Sequence, residues 1–137
     1  MPSFSAPRIG GHPADVALVD LDSAACAPAL TAWTAQWFEN RGLRVAVNRV
    51  YCGAELVRAH GCPDTGRHSL QIELRRDLYM DERTLSTHDG FPKLRQTLFA
   101  LVAVAHRWGE ALARRRIAGS SSPILKSTRI SKTETLN

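Results

Sequence analysis

Apolar and polar residues alternate between His68 and Arg75. Leu70, Ile72 and Leu74 share one parity, and Gln71, Glu73 and Arg75 the other. Successive strand side chains point to opposite faces, so the run predicts a strand over about 68–75 with one apolar and one wholly polar face. The polar face has two readings. It is a solvated sheet surface with a Glu/Arg pair on it, or it is the floor of a site in which Glu73 is held out of bulk water because its charge is used.

Upstream, Asp15 to Asp20 encloses the apolar run Val16-Ala17-Leu18-Val19, which predicts a short buried strand. Pro28 suits the first turn of a helix running to about Arg41, with Gly42 placed as its stop. Leu30, Trp33, Trp37 and Phe38 recur on that helix at spacings that make an apolar stripe, read as core packing. Leu43 to Asn48 predicts the next strand, and residues 53–66 read as irregular around Gly61, Pro63 and Gly66. Strand, helix, strand is the order of a βαβ unit, in whose sheets ligands gather beyond strand ends. Pro92 opens a long helix to about Arg116, with Leu94, Leu98, Leu101, Val102, Ala105, Trp108 and Leu112 as its expected buried face. Residues 1–14, rich in Pro and Gly, read as a loop, and the Ser/Thr-rich segment after residue 117 as a disordered tail. The expected organisation is one domain over 1–117 and a tail over 118–137.

Composition narrows the functional classes. The 137 residues are 44% hydrophobic and 23% charged, ordinary for a globular domain. The net charge of +5 invites a nucleic-acid reading. Residues 1–113, however, hold twelve Lys/Arg against twelve Asp/Glu, and the excess arises from Arg114, Arg115, Arg116, Lys126, Arg129 and Lys132 against Glu134. A balanced body argues against a nucleic-acid partner. No apolar run approaches the roughly 18 residues of a membrane span, and the first residues lack a signal-peptide pattern, so the expectation is a cytoplasmic chain with no membrane partner.

The candidate chemistry is incomplete. Cys26, Cys52 and Cys62 fall in no CxxC spacing and read as plain thiols. His12, His60, His68, His88 and His106 show no HxxE, HExxH or HxH spacing, so no pair of ligands is held on one face of one element. His68 also has the opposite strand parity from Glu73, which separates the two unless a bulge intervenes. The sequence supplies a proton acceptor, Glu73, and no recognisable metal cage.

The segment Asn48-Arg49-Val50-Tyr51-Cys52-Gly53 and the later run Gln71-Ile72-Glu73, with Arg76 and then Leu78-Tyr79-Met80-Asp81-Glu82, together resemble the C-terminal half of the N-formylglutamate amidohydrolases. The family pattern there is Asn-x-Pro-Tyr-x-Gly-Gly followed by Gln-Ile-Glu, an arginine and Leu-Tyr-Met-Asp-Glu. The second block matches almost throughout, and the resemblance extends from Met1 to about Arg116. Val50 and Ala54 stand where the pattern has Pro and its second Gly. The family's Gly-Asp-Arg-x-Gly segment appears as Val19-Asp20-Leu21-Asp22-Ser23, which keeps the aspartate and lacks both glycines and the arginine.

The resemblance implies an α/β fold, a partial three-layer α/β/α carboxypeptidase-like zinc hydrolase domain with about three strands and two main helices. It implies zinc-dependent hydrolysis of N-formyl-L-glutamate to formate and L-glutamate. It makes Glu73 the catalytic carboxylate, and Asn48, Tyr51, Gln71 and Arg76 the substrate-binding residues. In the family a His-Ser pair, its His a zinc ligand, immediately precedes Met-Pro-Ser, where this chain opens. The expectation is therefore an N-terminally truncated chain that lacks its metal ligands, does not bind zinc alone and is inactive alone. Its partners would be a small N-acyl amino acid and either a second copy or a separate N-terminal half. The alternative is a binding protein that holds an acidic or acyl-amino-acid ligand through Asn48, Arg75 and Arg76 without turnover.

Overall fold

The computed structural model describes residues 8–49 and 55–119. At its centre lies a three-stranded sheet of β3 (Val16–Val19), β4 (Val45–Val47) and β5 (Gln71–Leu74), in the order β4-β3-β5. β3 and β4 are parallel and joined by helix α1 (Pro28–Glu39), the βαβ unit expected from the apolar pattern. β5 runs antiparallel to β3, pairing Gln71 with Val19 and Leu74 with Val16. Every residue of β3 is buried, as the uninterrupted run Val16-Ala17-Leu18-Val19 requires of a central strand.

Helix α1 ends as its sequence foretells. Gly42 takes the left-handed conformation, φ 78°, and the Leu43 N–H reaches back to the Phe38 carbonyl at 3.2 Å while the Gly42 N–H reaches that of Glu39 at 2.9 Å. Its buried face differs from the expected stripe. Thr31, Thr34 and Phe38 are the buried positions, and Leu30, Trp33 and Trp37 lie at the margin. Two threonines can turn inward because their hydroxyls find acceptors: Thr34 bonds the Leu30 carbonyl at 2.8 Å and Thr31 bonds Asp20.

Three segments depart from the sequence reading. Within the expected N-terminal loop, β1 (Arg8–Ile9) and β2 (His12–Pro13) form a two-stranded antiparallel ribbon, its turn made by Gly10 and Gly11 at positive φ. Within the stretch read as irregular, α2 (Glu55–His60) is helical and buries Val57 against Val19 and Ala25. A six-residue helix shows too little periodicity to be read from sequence, and it closes on Ala25 only because residue 61 is glycine: a Cβ there would overlap the Ala25 side chain. A second ribbon, β6 (Met80–Asp81) with β7 (Ser86–Thr87), precedes helix α3 (Gly90–Gly119).

The chain divides into two compact units, Met1–Phe99 and Ala100–Asn137, with the boundary inside α3. In the first unit α3 buries Leu94 and exposes Phe99. In the second Leu101 is buried, whereas Val102 and Trp108, expected on the buried face, are exposed. Tyr51, Cys52 and the tail from residue 120 lie outside the described residues.

Candidate functional site

Antiparallel pairing sets the polar strand face. Glu73 stands opposite Ala17, and Gln71 opposite Val19, so all four side chains share one side of the sheet. This is the side on which Val19 packs with Ala25 and Val57. Glu73 is half-buried, and the Gln71 side-chain amide donates a short hydrogen bond to its Oε1. Oε2 has no hydrogen-bond partner among the described residues.

The C-terminal ends of β3 and β4 are fastened together by an aspartate. Asp20 is only 2% exposed. Its Oδ2 accepts the Thr31 hydroxyl at 2.6 Å, and its Oδ1 accepts the Asn48 amide at 2.6 Å and the Ser23 N–H at 3.0 Å. Asn48 returns a bond, its Oδ1 accepting the Asp20 N–H at 3.0 Å, so two reciprocal bonds clasp neighbouring strand ends. Burial pushes the Asp20 carboxyl up, but the Thr31, Asn48 and Ser23 donors outweigh that and hold it below its ordinary value of 3.8. The backbone around this clasp is left-handed at Leu21, Asp22 and Ser23 (φ 57°, 53° and 70°) and at Asn48 (φ 51°). Each such residue costs an L-amino acid roughly 1–2 kcal/mol. The carboxylate bonds and the packing of Leu21 against Val19, Ala25 and Val57 hold the turn in place.

The opposite end of the sheet is tied differently. Asp15 accepts the Arg44 guanidinium at both carboxylate oxygens, each at 3.0 Å, and also meets Arg75 at 3.1 Å. Desolvation pushes the Asp15 carboxyl up, while Arg44 and Arg75 pull it below 3.8 overall. Arg75 additionally bonds Asp77 and the Pro13 carbonyl, so its donors are taken by the fold.

The residues singled out from sequence are therefore spread along the sheet. Asn48 and Gln71 lie at the C-terminal end of β3, Glu73 at its middle, and Arg76, exposed just past β5, at the far end beside Asp15 and Arg75. Five steps along the chain place Arg76 roughly 15 Å from Gln71. Asn48 spends both ends of its amide on Asp20, and Tyr51 lies outside the described residues. The residue that sequence reasoning left out of the site is Asp20. Its retention inside the family-like segment was the available signal.

Among the described residues no group of three His, Cys, Asp or Glu side chains could hold a metal ion. The Asp20 carboxylate is filled by Thr31, Asn48 and Ser23, while His68 accepts the Ala27 N–H at Nδ1, at 3.2 Å, and Glu73 is bonded by Gln71 at one oxygen. The described donors do not fit a zinc cage. Also among the described residues, no helix is long and apolar enough to cross a membrane.

The family model for N-formylglutamate amidohydrolase matches residues 1–80, which carry Asp20, Asn48, Gln71 and Glu73. The chain belongs to the N-formylglutamate amidohydrolase family. Among solved structures it is similar to the N-formylglutamate amidohydrolase from Ralstonia eutropha JMP134, with 36% sequence identity and a TM-score of 0.66 over 77% of this chain and 37% of that one. The chain thus spans well under half the length of that relative. No curated protein matches it.

Proposed function

We propose that this chain carries the proton-acceptor wall of an N-formylglutamate amidohydrolase site, with Glu73 as the general base for hydrolysis of N-formyl-L-glutamate to formate and L-glutamate. The observation that supports it best is the Gln71–Glu73 pair, half-buried on one face of the sheet within the segment matched by the family model. The Gln71 amide fixes one carboxylate oxygen and leaves Oε2 free to accept a proton. In the reaction the water oxygen bonds to the formyl carbon and the carbon–nitrogen bond breaks. Glu73 takes a proton from the water and returns it to the leaving nitrogen. Asn48 serves in this reading as a positioning residue, holding the exit of β4 through Asp20.

Zinc is the metal that the resemblance implies for this reaction, and the described donors form no cage for it. We read this chain on its own as neither holding zinc nor turning over substrate. The test is a chimera in which this chain replaces the matching segment of the Ralstonia eutropha enzyme. The chimera is expected to release formate, with Glu73→Gln lowering the rate by about 10²-fold or more. The chain alone, supplied with zinc, is expected to release none. A Glu73→Gln chimera that keeps its rate refutes the general-base role, and Glu73-dependent formate release by the chain alone refutes its inactivity.

A further inference from the structure

A dicarboxylate such as glutamate needs a cation for its side-chain carboxylate, and a forked, charge-assisted pair with arginine is the strong way to supply it. The arginines of the sheet are unequally available. Arg44 and Arg75 are both spent on Asp15. Arg76 lies beside them, at the end remote from Gln71 and the Asp20–Asn48 clasp. Arg58 is paired with Glu55, Arg41 lies over the Trp37 ring, and Arg67 is drawn to the Cys62 sulfur.

Arg49 shares with Arg76 the lack of a partner among the described residues and differs from it in lying at the opposite end of the sheet. It follows Asn48 directly at the C-terminal end of β4, it is exposed, and among the described residues it has no hydrogen-bond or ion-pair partner. Its backbone origin is nonetheless fixed. The Asn48 N–H bonds the Leu18 carbonyl at 2.9 Å, and the Asn48 side chain is clasped to Asp20 on both sides. An unpaired guanidinium on a rigid stem, at the end of two parallel strands where ligands of α/β sheets collect, is preorganised to receive an anion.

We propose that Arg49 is the specificity-determining residue that pairs with the side-chain carboxylate of the amino-acid portion of the substrate. The assignment rests on the hydrolytic reading above for its substrate class and on the sheet geometry for its place.

Calorimetric titration of the chain with L-glutamate and with L-glutamine, its neutral counterpart, tests it. Glutamate is expected to bind at least about ten-fold more tightly than glutamine, the worth of one forked charge pair. Arg49→Gln is expected to erase that preference while leaving glutamine binding within about two-fold, and Arg49→Lys to restore part of it. Arg83→Gln, on the exposed β6–β7 turn, controls for net charge. The proposal is overturned if the wild-type chain shows no preference for glutamate, if Arg49→Gln keeps the preference, or if Arg83→Gln loses it equally. Formate release by the chimera with an Arg49-indifferent preference would sink this assignment and leave the hydrolytic reading standing. Arg49-dependent glutamate binding without formate release from the chimera would do the reverse.

Discussion

Two buried aspartates bracket β3, and they are solved in opposite ways. Asp15, before the strand, is neutralised by Arg44 and Arg75, which draw β3, β4 and β5 together at that end. Asp20, after the strand, is held by neutral donors alone, a hydroxyl, a side-chain amide and backbone N–H groups, and is ringed by left-handed residues. An ion-paired end gains order from charge, with Arg44 and Arg75 both engaged by Asp15. A carboxylate satisfied by neutral dipoles keeps its negative charge and organises the backbone around itself, at a conformational cost that the rest of the sheet offsets. The first end reads as architecture and the second as the support of a site.

The largest effect expected from breaking this contrast is at Asp20. Asp20→Ala strands the buried Thr31 hydroxyl and removes the part-buried bonds to the Asn48 amide and the Ser23 N–H, and a loss of about 3 kcal/mol is expected in chemical denaturation. Asp15→Asn should cost less, about 1–2 kcal/mol, because Arg44 is partly exposed and its charge is screened. Both carboxyls lie below their ordinary value of 3.8 in the folded chain. Each therefore contributes stability that is complete above that value and is lost as pH falls through the lower folded value. Salt separates the two. Toward about 1 M, where the screening length is about 3 Å, the Asp15 contribution should shrink and the Asp20 contribution should hold. Equal salt sensitivity in the Asp15→Asn and Asp20→Asn variants would erase the distinction.

Smaller effects sharpen it. Asn48→Ala loses the clasp and keeps a Cβ in a left-handed position, whereas Asn48→Gly loses the clasp and removes that Cβ, so the glycine variant should be more stable by about 1 kcal/mol. At Asp22, exposed at φ 53°, glycine relieves strain at the expense of unfolded-state entropy, and a net gain of about 0.5 kcal/mol is expected in thermal unfolding. A loss at Asp22→Gly would mean that its side chain, and not only Asp20, holds the turn.

Periodicity carried the central elements: the run Val16–Val19, the helix from Pro28 stopped by Gly42, the strand before Asn48 and the alternating run through Glu73 all stand close to where their patterns put them. It failed where local chemistry overrode apolar spacing. Thr31 and Thr34 are buried because acceptors wait for their hydroxyls, and α2 packs through the missing side chain of Gly61, neither of which an apolar stripe reveals. The expected grouping of Asn48, Gln71 and Arg76 overlooked strand direction. Antiparallel pairing of β5 sends Arg76 to the end of the sheet opposite Asn48.

The sequence by itself determined the βαβ unit, the polar face that carries Glu73 and membership of the family, because strand parity, helix punctuation and a long motif are properties of the chain order. Only the tertiary structure decided that Asp20 clasps Asn48, that Arg44 and Arg75 are consumed by Asp15 and that Arg49 is left unpaired among the described residues. Those facts depend on which strands lie side by side and in which direction. That choice is made by packing between residues far apart in the chain, and no local pattern encodes it.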